Sequence, residues 1–293
     1  MPLPLPHLSP QVFAILSALI EERTGIHYAI SDLELVREKV GTRALDAGFE
    51  SLLDYYYYLR YDAQSAAELE RLVDSLVVGE TYFFREYDQQ RVLVNRLIPE
   101  RLRQTGKGRL RLWSAACATG EEPLTLAMLL ESAGLRDRVE LVASDISKRA
   151  LERARAGRFG RRSVRNVPDR ALLDRYLETV APSASGALGA PGEEYRFSPE
   201  VIAGIDWRQV NLVDAAGVEA LGPFDFIVCR NVLIYFRDDV ARTVVRHLCG
   251  ALAPGGSLLV SVSESLLRFG TELTCEEHEG IFVYTKGSGE RAS

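Results

Sequence analysis

Residues 109–123 read Arg-Leu-Arg-Leu-Trp-Ser-Ala-Ala-Cys-Ala-Thr-Gly-Glu-Glu-Pro, and the apolar run Leu124 to Leu130 follows. This order predicts a strand, a tight loop of small residues and a helix N-terminus. Such a junction lets a ligand approach backbone closely. A phosphate site would place no carboxylates there, yet Glu121 and Glu122 open the helix. They suit a cationic ligand group. S-adenosylmethionine, with an ammonium, a sulfonium and no phosphate, meets that requirement. The bland alternative is a capping box between Thr119 and Glu122, with Pro123 in the first turn and acids complementing the helix dipole.

Downstream the pattern alternates. Strands are expected at 109–114, 139–144, 207–211, 224–229 and 257–261, and helices at 121–133, 147–156 and 238–252. Alternation of this kind implies a parallel sheet with crossover helices. Residues 280–284 predict a last strand at an antiparallel edge. Upstream, residues 11–75 read as short amphipathic helices, with Val12, Ile15, Leu16, Leu19 and Ile20 at helical spacing. Ordinary packing of two helix faces accounts for the run Tyr55 to Tyr58. Residues 181–193, rich in Ala, Pro, Ser and Gly, read as a flexible loop within an inserted region.

The bulk numbers narrow the class. A chain of 293 residues that is 47% hydrophobic can hold one large domain and a small one. No apolar run reaches membrane-span length, and Met1 to Pro6 lacks the build of a signal peptide. The four cysteines show no CxxC spacing, so neither a zinc site nor a disulfide framework is indicated, and a cytoplasmic location is the default. A net charge of −6 argues against nucleic-acid binding. The charge is uneven: residues 1–75 hold 6 Lys/Arg against 12 Asp/Glu, and residues 147–175 hold 10 against 3. A solvated helix face is the ordinary reading of such a basic run.

Ligands of open α/β sheets bind at the carboxyl ends of strands. Asp145 ends the second strand and can take both ribose hydroxyls; otherwise Asp145 or Ser147 caps the next helix. The glycine pattern of a dinucleotide site is missing. Asn211 ends another strand. Arg230 and Asn231 end the strand 224–229, and the segment to Tyr235 could wall a pocket for adenosine and methyl transfer. Thr81 to Glu86 joins the two regions and could close over a ligand, with Arg85 pairing a carboxylate. Cys275 to Glu279 meets no familiar metal spacing.

Taken in order, Thr81–Glu86, Ser114–Pro123, Ala143–Ile146, Asn211-Leu212 and Arg230–Phe236 resemble the motifs of chemotaxis protein methyltransferases of the CheR type, over nearly the whole chain. The resemblance implies a Rossmann-like α/β methyltransferase sheet with helices on both faces. A helical N-terminal domain (1–75) precedes it, and an inserted β subdomain lies within about residues 157–205 of the catalytic domain (76–293). It implies transfer of methyl from S-adenosylmethionine to glutamate carboxylates of chemoreceptor cytoplasmic domains, leaving S-adenosylhomocysteine. The implied cofactor contacts are Thr81, Arg85, Glu121, Asp145, Asn211, Leu212, Arg230 and Asn231. Tyr235 and Arg101 are the candidates to orient the acceptor acid. No metal is expected, and a monomer is. The chain departs from the family at Val77-Val78-Gly79, where Thr-Thr-Asn is usual, and at Leu124-Thr125, where Tyr-Ser is common. Its acidic N-terminal region also differs, which moves the expected receptor contact to Arg158, Arg161, Arg162 and Arg165. A small-molecule carboxylate methyltransferase and a non-catalytic S-adenosylmethionine-binding scaffold are the competing readings.

Overall fold

Four helices open the chain: α1 (Pro10–Thr24), α2 (Leu33–Asp46), α3 (Leu52–Tyr61) and α4 (Ala66–Leu76). A computed structural model describes residues 4–180 and 194–288; the expected loop at 181–193 lies outside them. Ser9 caps α1 by accepting from Val12 N at 3.3 Å, with Pro10 in the first turn where its missing N–H costs nothing. The helices close on Leu16, Ile20, Val36, Val40, Tyr55, Leu59, Leu72 and Leu76, all buried. In the tyrosine run, Tyr55 enters this core and donates to the buried carboxylate of Glu68 (2.8 Å), which Arg43 also holds (2.7 Å). Tyr57 faces solvent instead.

Helices α5 (Tyr87–Val92) and α6 (Ile98–Thr105) run into β1 (Leu110–Ala115), followed by α7 (Glu121–Ser132), β2 (Val139–Asp145) and α8 (Lys148–Ala156). Next come β3 (Arg158–Gly160), α9 (Arg170–Asp174), β4 (Leu177–Val180), β5 (Glu194–Phe197) and α10 (Pro199–Ala203). The chain ends with β6 (Asp206–Gln209), α11 (Ala215–Glu219), β7 (Phe224–Cys229), α12 (Asp238–Gly250), β8 (Leu252–Leu259), β9 (Thr274–His278) and β10 (Ile281–Thr285). The main sheet has the order β6-β2-β1-β7-β8-β10-β9, parallel from β6 to β8.

Leu112, Leu141 and Phe226 face one core, shared with α6, α7, α8 and the insertion; Trp113, Val142 and Ile227 face the other, shared with α11 and α12. This period-two alternation of two apolar faces is why both sides of the sheet carry helices. The expected inserted β subdomain is the antiparallel sheet β3-β5-β4.

Two expectations need correction. Ile281–Thr285 is not the edge: β9, Thr274–His278, pairs outside it. An exposed polar strand such as Thr-Cys-Glu-Glu-His has no alternation to reveal it. Strand β8 also begins at Leu252 rather than Ser257, because a bulge against Phe224–Phe226 absorbs Pro254-Gly255-Gly256.

The chain order reverses between β1 and β7, which makes their carboxyl ends the switch point. Ala115, Ser144 and Cys229 lie side by side there. The N-terminal helices sit over this end: Ile26 bridges to Phe236, and His27 N donates to Tyr235 O at 2.9 Å. Gly25 makes that joint possible, with φ +78° and Val213, Phe236 and Val240 around the place of a side chain.

Candidate active site

Above the switch point lies a cavity of about 310 Å³, walled by both the sheet and the N-terminal helices. The β1–α7 loop forms one side. Ala116, Ala118 and Gly120 all adopt positive φ, which curls the loop. Such conformations cost about 1–3 kcal/mol each for alanine and persist only where the surroundings impose them. Here Cys117 N donates to Ser144 O (2.8 Å), and Ala118 N donates to Asp145 Oδ2 (2.8 Å). A side chain on Gly120 would meet Ala154 and Trp207 within 3 Å.

Asp145 also accepts from Ser147 N at 2.8 Å. The helix cap falls to Ser147, whose Oγ accepts from Ala150 N (3.0 Å), so Asp145 is not spent on capping. Its carboxylate is fixed in place with lone pairs remaining. Burial pushes its pKa up, against the pull of the backbone donors.

Thr81, Arg85, Asp145, Asn211, Leu212, Arg230, Asn231 and Tyr235 all line this one cavity. Glu121 and Arg101 do not. Glu121 is buried under the loop, where Thr119 Oγ1 and Ser163 Oγ donate to it at 2.7 Å each. The capping box is likewise absent: Gly120 is the N-cap and has no side chain to give. Glu122 is the acid on the cavity wall, held by Arg230 Nε (2.7 Å) and Ser114 Oγ (2.6 Å). Arg101 lies at the opposite end of the sheet, bound to Asp225 near the start of β7 (3.3 Å) and to Pro254 O (2.6 Å). It cannot orient an acceptor. Tyr235 instead faces the same cavity as Arg85, whose charge opposes the upward push of burial on the Tyr235 pKa. Arg85 is itself steadied by donating to Glu80 O at 2.7 Å.

The loop after β7 rests on groups that motif reading left unassigned. Asn231 takes the left-handed conformation, φ 58°. The Glu264 carboxylate accepts from Asn231 N (2.9 Å), Val232 N (3.1 Å), Leu233 N (2.9 Å) and Ser261 N (3.1 Å). Glu86 accepts from Ser261 Oγ (2.7 Å) and Asn231 Nδ2 (3.3 Å) and lies 3.7 Å from Arg230. Asn211 ties the domains, its Nδ2 donating to Arg23 O at 2.8 Å. Ile26, Tyr28, Asp32, Leu35 and Lys39 add a wall from the N-terminal helices. Lys39 Nζ (3.0 Å) and Tyr28 OH (3.1 Å) both donate to Leu76 O and so fix the start of the Val77–Thr81 linker. Nothing in the spacing of these residues foretells a cavity wall.

The wall is apolar for most of its extent and carries Asp145 and Glu122 where a pyrophosphate would need donors. It fits a cationic, phosphate-free nucleoside. Residues 79–280 match the family described as CheR methyltransferase, SAM binding domain, and residues 11–77 match its all-alpha domain. Chemotaxis protein methyltransferase 2 of Vibrio cholerae is 35% identical over 84% of this chain and 83% of its own length. Chemotaxis protein methyltransferase 1 of Pseudomonas aeruginosa is 30% identical over 87% and 90%. The probable biofilm formation methyltransferase WspC of Pseudomonas aeruginosa is 36% identical over 72% of this chain and 47% of its own.

Proposed function

The chain belongs to the CheR methyltransferase family, and from that premise we propose that it methylates glutamate side chains of chemoreceptor cytoplasmic domains. S-adenosylmethionine is the methyl donor, and the product is a glutamate methyl ester. The protein acts in the cytoplasm, as a monomer. The observation that carries this reading is the shared cavity: Asp145 at the strand end, with Arg85 and Tyr235 on the same wall.

S-adenosylmethionine supplies an electrophilic methyl on sulfonium. Asp145 would receive the ribose hydroxyls, Leu212 and Val210 would offer the base an apolar wall, and Glu122 would face the cationic end. An acceptor glutamate, with pKa near 4.3, is already a nucleophile at neutral pH and needs no general base. With Arg101 remote, Arg85, first expected as a cofactor contact, would join the Tyr235 hydroxyl in holding one oxygen of the acceptor carboxylate, leaving the other free to attack. Burial keeps Tyr235 protonated as a donor. The N-terminal helices shield the cavity from water, so that alignment and desolvation supply the acceleration.

Methyl label transferred to a receptor signalling fragment should be released as methanol by mild base. The rate should be nearly flat above pH ~6, since the acceptor is ionised there. Base-stable label would point to a nitrogen acceptor and end the glutamate reading. Labelling of small acids with none of the fragment would favour a small-molecule carboxylate methyltransferase, and cofactor binding without transfer to either would favour a scaffold.

A further inference from the structure

We propose that Arg161 and Arg162 form a fixed basic corner beside the cavity mouth, which docks an acidic protein segment carrying the acceptor glutamate. The inference rests on the proposed carboxylate acceptor and adds how it is brought in.

The basic run is not uniform. Arg158 is paired with Glu194 (2.7 Å) and Arg170 with Asp174 (2.7 Å). Arg165 is paired with Glu80 and lies 4.4 Å over the Tyr82 ring. Arg161 and Arg162 are exposed, and neither has an ion-pair partner among the described residues. They occupy the two corners of a turn closed by Ser163 N donating to Gly160 O (3.0 Å). That turn is clamped to groups packed beneath the active-site loop: Phe83 N donates to Ser163 O (2.8 Å), and Ser163 Oγ donates to the buried Glu121 (2.7 Å). Arg165 holds the carboxyl of Glu80, on the cavity wall, below the usual range, with smaller help from Arg85 and then from Arg162. Among the described residues, the two guanidinium groups thus have no ion-pair partner, on a turn whose backbone is held near Glu80 of the cavity wall.

The N-terminal helices form another part of the cavity wall, and residues 1–75 hold 6 Lys/Arg against 12 Asp/Glu. They repel an acidic partner, whereas the 160–163 turn attracts one. A segment with further carboxylates flanking its acceptor glutamate fits this asymmetry. Charges of this kind act on encounter and register and are screened beyond about 10 Å at 0.1 M salt.

The test is steady-state transfer of labelled methyl to a chemoreceptor signalling fragment at low and high salt. The Arg161→Glu/Arg162→Glu variant should raise the fragment KM roughly tenfold at low salt and flatten its salt dependence. Arg161→Gln/Arg162→Gln should give a smaller rise. S-adenosylhomocysteine affinity by calorimetry, and kcat, should stay at wild-type values. Arg242→Glu/Arg246→Glu makes the same charge change on the exposed face of α12 and should leave KM alone. Wild-type KM in both turn variants, an equal effect from the α12 variant, or lost cofactor affinity each overturns the docking role. Failure of the wild type to make base-labile ester on the fragment overturns the parent reading, and this one with it.

Discussion

Asp145 shows how one side chain can organise a site and still keep capacity for a ligand. Its two oxygens hold the β1–α7 loop and the start of α8, at 2.8 Å each. In the proposed role the same carboxylate accepts two ribose hydroxyls, which its ionised form does best. Burial raises its pKa, so protonation sets in at a pH above the ordinary aspartate range. The sign follows: affinity for S-adenosylhomocysteine is complete above that raised pKa and falls as pH drops through it. Asp145→Ala should cost about 1–3 kcal/mol of cofactor affinity at neutral pH and erase that acid-side fall. Calorimetry on the folded variant with unchanged affinity would remove Asp145 from the site. The strand-end aspartate was legible because an apolar run ended in it. Arg101 misled because residue type and spacing do not say at which end of a sheet a preceding helix leaves its side chains. Glu121 and Glu122 could not be told apart by motif, since a change of about 100° around a helix decides which carboxylate meets the cavity and which is buried.

Among the elements, the segment after β7 depends on a partner far along the chain. Glu264 gathers four backbone N–H groups, three of them from Asn231–Leu233. Each Glu264 oxygen accepts two of these amides, so a glutamine, with one acceptor oxygen and an NH2 in place of the other, leaves two of the four facing a donor. Glu264→Gln should loosen the loop that carries Tyr235, lowering kcat by roughly tenfold or more while Asp145 still binds cofactor, at a stability cost of about 1–3 kcal/mol. Thermal melts read the stability, and a kcat unchanged in the folded variant would show that the clamp is irrelevant to transfer. No sequence signal pointed to Glu264, because its hydrogen bonds go to backbone and backbone partners leave no residue-type pattern. The central strands were legible for the opposite reason: β1, β2 and β7 are buried on both faces and read as apolar runs. The three-residue β3 and the polar β9 carry no such record.

The whole molecule joins two domains through one cavity, and the motifs mark only half of its wall. Helix periodicity foretold the N-terminal domain but not that Ile26, Tyr28, Asp32, Leu35 and Lys39 would line the cavity. Their placement follows from docking geometry: the Ile26–Phe236 bridge, Asn211 on Arg23 O, and Asp74 receiving Ser147 Oγ at 2.6 Å. A ligand seated between the domains must then stabilise both. S-adenosylhomocysteine at 100 times its Kd should add about 2.7 kcal/mol to the native state, a rise in Tm of roughly 4–5 °C for a chain this size. Hydrogen exchange should slow in residues 26–39 and 76–81 as well as in 116–118, 145–150, 210–212 and 230–236. Melting should stay a single transition, because separating the domains would expose the bound ligand. Protection confined to the sheet side, with the N-terminal helices exchanging as fast as without ligand, would mean that they only border the site.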